Sequence, residues 1–336
     1  MNAENGSARA KSFARALATT FAPFLGLAVV VLIFYIWGTI AKPDSTFLSG
    51  FRLALIAKQT AIVGMGALGM TVIIIAGGID LSVGSILALA SVVLAECLHL
   101  GTGVFVAVAA AIGASVAAGL VNGILVTMLR LVPFIVTLGT MLLFRGVAEH
   151  VADQKKISAE APAWLAGLLD PPAEGSIQMI STGVWIVIVL GIILSLILRF
   201  TVFGRHVIAI GSNEAAARLC GIDINRVKLL VYAIGGFFMG CAGMFEFANL
   251  NKQGNPTSGA GLELDIIAAV VIGGGSLNGG RGSVLGSMVG ALMMTTLRSG
   301  CVFAEVPDPI QKIVIGSIII GAVAIDQIRE RRGARA

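Results

Sequence analysis

Asp80 is the first residue whose type and setting could do chemistry. It lies in Ala76-Gly77-Gly78-Ile79-Asp80-Leu81-Ser82-Val83-Gly84-Ser85, between two apolar stretches. A carboxyl group at the centre of a bilayer costs about 3 kcal/mol on insertion scales, so it must face protein or water. Two roles fit: a proton or ion site, or a helix cap. In the cap, which the local sequence favours, Asp80 or Ser82 accepts from the first free N–H groups while Gly77-Gly78 turns the chain. Asn122, Glu246, Asn249 and Asp265 are further costly polar residues at or near membrane depth. Hydrogen bonds between helices explain each of them as well as contact with a solute does.

The segment Gly273-Gly274-Gly275-Ser276-Leu277-Asn278-Gly279-Gly280-Arg281-Gly282-Ser283 approximates a phosphate-cradling loop. It has Arg281 where lysine belongs, and it joins two apolar runs instead of following a strand. A tight turn between helices is the better reading. No Gly-Lys pair occurs anywhere in the chain, so it carries no Walker A motif and is not expected to hydrolyse ATP alone. Cys97, Cys220, Cys241 and Cys301 lack metal-binding or redox spacing, though Cys97 and Cys301 both fall on one side, where a disulfide is permitted. His99, His150 and His206 sit at the ends of apolar runs without partners. No constellation for nucleophilic or paired-carboxylate catalysis exists, and no catalytic or metal-ligating residue is assigned.

The elements that hold these residues belong to a membrane. Of 336 residues, 57% are hydrophobic and 12% charged, about half the charge of a soluble domain. Mean hydropathy is +0.96. Charge-free runs cover 16–41, 59–79, 81–95, 100–129, 131–144, 175–198, 229–245, 266–280, 282–297 and 313–325. A spanning helix needs about 20 residues, with a range near 17–25. The shorter runs can still span where end charges snorkel or where a broken helix is sheltered by protein. The expectation is an all-α, polytopic helix bundle of about ten spans forming a single transmembrane domain over 1–336. The first run is too long for the core of a cleaved signal peptide and reads as a retained helix.

Placing both termini inside puts most of the 23 Lys and Arg residues on the inner side, so the N-in, C-in topology is preferred. The same bias accounts for the net charge of +5 without nucleic acid. Residues 1–15 and 327–336 are then cytoplasmic tails, 149–174 an outer loop and 200–228 an inner loop. Met65-Gly66-Ala67-Leu68-Gly69-Met70 faintly echoes Met239-Gly240-Cys241-Ala242-Gly243-Met244, in runs of opposite direction, as an inverted repeat would. Gly119/Gly123, Gly236/Gly240 and Gly282/Gly286/Gly290 offer small faces for close helix packing, within the subunit or between subunits.

The inner loop has its own helical pattern. Ser212 or Asn213 can cap, Glu214 suits a positive N-terminus, Ala215–Ala217 propagate, and Gly221 terminates. Glu214 and Arg218 are placed to pair at i,i+4. Such a short helix is marginal in water and should dock on a cytoplasmic partner or lie on lipid.

Segment 211–222 resembles the coupling loop of the membrane subunit of ribose-type sugar ABC importers. Segments 69–85, 125–146 (ending Leu143-Phe144-Arg145-Gly146) and 262–282 (with Glu263-Leu264-Asp265) resemble the same family, and the likeness covers about 48–326. The resemblance implies ten helices, with spans two to five and seven to ten as inverted repeats, in a bacterial inner membrane. It implies pairing with a second permease copy or a paralogue, two cytoplasmic ATPases that carry ATP and Mg, and a periplasmic solute-binding protein facing 149–174 and 249–263. This chain would bind no cofactor itself. Gly211, Ser212, Asn213, Glu214, Ala215, Arg218, Leu219 and Gly221 would meet the ATPase. Alternating access would follow, with the path at the dimer interface. Glu305-Val306-Pro307-Asp308-Pro309 departs from the ribose pattern and leaves room for another sugar, a polyol or a furanone-like signal. A secondary transporter using Asp80, Glu246 and Asp265 as an ion site, or an ABC permease for a non-sugar solute, are the alternatives.

Overall fold

The computed structural model describes residues 23–43, 46–171 and 180–333. The expected inner tail 1–15 and part of the outer loop lie outside the described residues. The helices are α1 (Pro23–Ala41), α2 (Gly50–Ile75), α3 (Val83–His99), α4 (Val104–Met128), α5 (Pro133–Val151), α6 (Ala163–Ala166), α7 (Thr182–Phe200), α8 (Val202–Ser212), α9 (Glu214–Leu219), α10 (Ile224–Asn249), α11 (Leu262–Ile272), α12 (Val284–Phe303) and α13 (Asp308–Gly333). Strands β1 (Ile157–Ser158) and β2 (Gln253–Gly254) pair antiparallel. Each apolar run overlaps one helix, and among the described residues six helices (α1, α2, α4, α5, α7 and α10) are long and apolar enough to cross a membrane.

Helix boundaries overrun the charge-free runs. The α2 helix starts at Gly50 and carries Arg52 and Lys58, α5 continues through Arg145 and Glu149, and α10 includes Arg226 and Lys228. Charged ends on long flexible stems reach the interface while their backbone stays helical. The outer loop expected from 149 therefore begins inside α5, and within the segment expected as a cytoplasmic tail, residues 327 to Gly333 are helical as the end of α13.

The core centres on α2, α3 and α10. Every α2 residue from Ala61 to Ile75 is buried, whereas α4, α5 and α7 turn Phe105, Ile135, Leu142, Ile192 and Leu196 outward. That arrangement suits an apolar solvent, because lipid tails do not penalise exposed leucine. Small residues let the central helices approach closely. Gly119 of α4 lies against the Tyr232 backbone of α10, and Gly236 of α10 lies against the Ser115 backbone of α4. In the same way Gly286 and Gly290 of α12 lie on Gly273 and Ala269. These glycine faces are spent on packing within the chain.

Two segments between helices run deep inside the bundle. After α2 ends, residues 77–82 rise from the Gly211 and Gly279 backbones to the start of α3. After β2, the chain descends: Gly254 touches Ser91, Val92 and Ala95, while Gly259 touches Gly84. That difference of seven or more α3 residues is about 10 Å along the helix. The two segments meet at Gly84 and Gly259, where a Cβ on Gly84 would lie within 2.8 Å of the Glu263 carboxylate and overlap the Gly259 carbonyl. Segment 249–263 thus reaches the interior of the bundle at Gly259. Non-helical backbone at this depth is tolerated only where protein encloses it.

Candidate coupling loop and solute pathway

The sequence candidates fall into three groups. The first lies on the loop from α8 to α10. Thr201 caps α8 by accepting from the Gly204 N–H at 3.2 Å. Asn213 closes α8 and opens α9, its Oδ1 accepting from the Ala216 N–H at 2.9 Å. Gly221, with φ of +81°, ends the turn after α9. Ser212, the other capping candidate, instead donates its hydroxyl to the Ile208 carbonyl at 2.8 Å. Asp223 then caps α10 through the Arg226 N–H at 3.1 Å.

Helix α9 is six residues long, and only Ala217 among them is buried. Leu219 is 90% exposed, beside the exposed Ala215, Ala216, Glu214 and Arg218. Glu214 pairs with Arg218 at 3.2 Å and with Lys228 of α10 at 2.6 Å. The Lys228 hydrogen bond holds the Glu214 carboxyl below its ordinary value. A cavity of about 290 Å³ lies behind α9, lined by Arg130 and Pro133 of the α4–α5 turn together with Glu214, Arg218 and Lys228.

The loop is anchored through backbone. A Cβ on Gly211 would overlap the Ile75 carbonyl and come within 2.5 Å of the Gly280 nitrogen. Gly280 itself donates its N–H to the Ile75 carbonyl at 2.8 Å. The end of α2, the C-terminal end of α8 and the glycine-rich α11–α12 turn therefore share one junction. The loop that resembled a phosphate cradle is a helix–helix turn, and its glycines admit this contact.

The second group is a buried polar network. The Asp80 Oδ1 accepts from the Ser82 N–H at 2.8 Å and from the Ser82 hydroxyl at 2.6 Å. Asn122 Nδ2 donates to the Ser82 hydroxyl at 2.8 Å and to Asp80 Oδ2 at 3.3 Å. The Thr140 hydroxyl donates to Asn122 Oδ1 at 2.6 Å, and the Thr137 hydroxyl donates to the Ile79 carbonyl at 3.2 Å. Asp80 thus folds the segment before α3 onto α4 and α5. Ser82 is the residue at the α3 N-cap position, without a side-chain cap bond of its own.

The third group lines a cavity of about 220 Å³ between α2, α10, α11 and α12, which gathers Glu246, Asn249 and Asp265 with Gln59, Thr295 and Arg298. Asp265 is buried and its Oδ2 accepts from Arg298 at 2.6 Å. Near the cavity, Arg145 holds the descending segment by donating to the Ser258 carbonyl at 2.7 Å and to the Pro256 carbonyl.

Sequence reasoning missed Lys228, Thr137, Thr140, Gln59 and Arg298 as site members. Thr140 and Thr137 lay in an apolar run with no flanking signal. Arg298 stood one position past a charge-free run, four helical turns along from Ser283, and its pairing with Asp265 is a tertiary fact. The four cysteines are all free thiols.

Residues 52–323 match the family described as branched-chain amino acid transport system / permease component. The ribose import permease RbsC of Escherichia coli is 37% identical over 310 residues, covering 90% of this chain and 93% of that one. The ribose import permease of Bacillus subtilis is 36% identical over 305 residues, covering 91% and 92%. The L-arabinose ABC transporter permease AraH of Azospirillum brasilense is 34% identical over 309 residues, covering 91% and 88%. No solved structure matches the chain. With a family match across most of its length and relatives covered nearly end to end, the chain belongs to this permease family, as an inner-membrane transport subunit and not an enzyme.

Proposed function

We propose that this permease imports a sugar or sugar-like solute, with ATP and Mg held by a partner ATPase and the solute delivered by a periplasmic binding protein. The observation that carries the ATP-driven reading is the junction at Gly211. A short, capped helix stands exposed, and its root is fixed by backbone contact to α2 and to the α11–α12 turn; the excess of Lys and Arg favours the inner side for it. A partner that grips α9 by Asn213, Glu214, Ala215, Arg218 and Leu219 can move both helices without deforming a side chain. The sugar assignment is supported by the relatives named for ribose and L-arabinose.

Ten spans fit the pairing of each apolar run with a helix, the short α3 and α11 being sheltered inside. Inverted repeats of α2–α5 and α10–α13 fit the packing, because α4 lies on α10 as α12 lies on α2. In both halves the second helix is short and follows a non-helical segment. The faint sequence echo does not carry this reading: Gly66 meets Ile266 and Met239, while Gly240 meets Ile112 and Ser115. Two permease subunits, copies or paralogues, would rock against each other as the ATPases close and reopen.

The test is a tagged pull-down from native membranes with an ATPase assay of the eluate. Wild type should bring down ATPase activity, and Glu214→Lys with Arg218→Glu should reduce it at least about fivefold. The double reversal restores the i,i+4 pair but sets a cation against Lys228, so the surface offered to a partner changes. Equal ATPase recovery with both proteins would remove α9 as the motor contact.

A further inference from the structure

The cavity between α2, α10, α11 and α12 is built differently from the lipid-facing surface and from the helix packing around it. Its floor is buried and mixed in character: Ile62, Val63 and Met294 give an apolar wall, and Asp265 and Thr295 give polar atoms. Its mouth is exposed at Gln59, Ala260 and Arg298. The volume of about 220 Å³ falls below the roughly 300–1,000 Å³ of pockets for drug-sized ligands. One monosaccharide ring fits such a space and a disaccharide does not.

The polar groups are also disposed for a polyol. Hydroxyl groups need both donors and acceptors around them. Gln59 and Asn249 supply both, Glu246 and Asp265 add acceptors, and Arg298 adds donors beyond the one committed to Asp265. Gln59 makes no side-chain hydrogen bond among the described residues. Two carboxyl groups against one guanidinium disfavour an anionic solute. Access is equally specific, since the cavity lies between the N-terminal parts of α2 and α11 and the C-terminal parts of α10 and α12. The Gly211 junction sits at the opposite end of α2.

We infer that each permease subunit carries its own solute station in this cavity, which takes one neutral monosaccharide or polyol of similar size and contributes to selection among sugars. The inference rests on the importer reading and adds a site within the protomer to a path expected between protomers. Weak, multiple hydrogen bonds suit a transport station, because a deep well would hold the solute.

The complete transporter, with its ATPase and binding protein in liposomes, provides the test. Uptake of D-ribose, L-arabinose, D-galactose, ribitol and D-galacturonate is measured per ATP hydrolysed. Met294→Trp, which fills the apolar wall, should lower uptake of the best neutral solute at least about tenfold per ATP. Gln59→Ala and Asn249→Ala, at positions less prone to misfolding, should raise the KM for uptake severalfold and change the ranking among the neutral solutes. D-galacturonate should be the poorest of the five in wild type. Unchanged uptake per ATP and unchanged ranking in all three variants would overturn the station while leaving the importer reading intact. Absence of ATP-dependent uptake of any neutral solute by wild type would overturn both.

Discussion

Gly211→Val is expected to reduce ATP-driven uptake at least about 100-fold and to abolish stimulation of the ATPase by loaded binding protein. The reason is geometric. A β-carbon at 211 would overlap the Ile75 carbonyl and crowd the Gly280 nitrogen, and both are backbone atoms. No side chain can rotate away to relieve the clash, so the loop must part from α2 or the α11–α12 turn must move. Overpacking of this kind costs about 1–3 kcal/mol locally. The functional cost is larger, because the same junction would transmit the motion of α9. Gly221 offers the comparison. It has φ of +81° but open space around it, so Gly221→Ala carries only backbone strain of about 1–2 kcal/mol and should retain substantial transport. Thermal unfolding in detergent separates loss of coupling from loss of fold. Wild-type uptake by Gly211→Val would show that the junction transmits nothing.

Asn122→Leu should lower stability by about 3 kcal/mol, seen as a fall in unfolding temperature and in membrane yield. Its amide is the hub between the Asp80 segment and α5: it donates to Ser82 and Asp80 and accepts from Thr140. Hydrogen bonds between membrane helices average only about 0.6 kcal/mol in double-mutant cycles, which would make the substitution mild. The setting decides otherwise. Leucine removes the one partner of the Asp80 Oδ2 and leaves the Thr140 hydroxyl with only a 3.4 Å bond to the Thr137 carbonyl of its own helix, in a water-poor interior where each orphaned group costs about 1–3 kcal/mol. Asp80→Ala alone should cost less, because Ser82 and Asn122 can still bond each other. The pair Asp80→Ala with Asn122→Leu should fall well short of additive, as expected for members of one network. Additive losses would mean that Asp80 and Asn122 stabilise the fold independently.

The loop from α8 to α10 was the most legible part of the chain, since its signals are local. Asn213, Glu214 and Gly221 obey capping rules that act over a few residues, and the structure follows them. The cap expected at Asp80 or Ser82 is only partly there: Asp80 takes the N–H of Ser82, just before α3, and Ser82 makes no side-chain cap bond. The charge-free runs located the ten helices they overlap, while α6, α8 and α9 lie outside them. They misjudged the ends, because Lys58, Arg145 and Lys228 continue helices by reaching outward from them. What remained hidden was tertiary. Nothing near Asp265 announces Arg298, 33 residues on, and nothing near Gly254 shows that the chain turns inward along α3. The Gly211 junction was invisible because the sequence marks a glycine without saying which backbone approaches it. Composition likewise could not separate an ion site at Asp80, Glu246 and Asp265 from structure. The geometry places Asp80 with Asn122 and Ser82, and places Glu246 with Asp265 in a different cavity.

The measurement that bears most directly on an ATP-driven sugar importer is uptake by proteoliposomes holding the permease alone or with its ATPase and binding protein. Each preparation is given D-ribose and L-arabinose under imposed proton or sodium gradients, with and without internal or external ATP. The permease alone should move neither sugar under any gradient, and sugar should enter only when ATPase, binding protein and ATP on the ATPase side are all present. Gradient-driven uptake by the permease alone would contradict the ATP-driven reading and turn attention to the carboxyl groups at Asp80, Glu246 and Asp265.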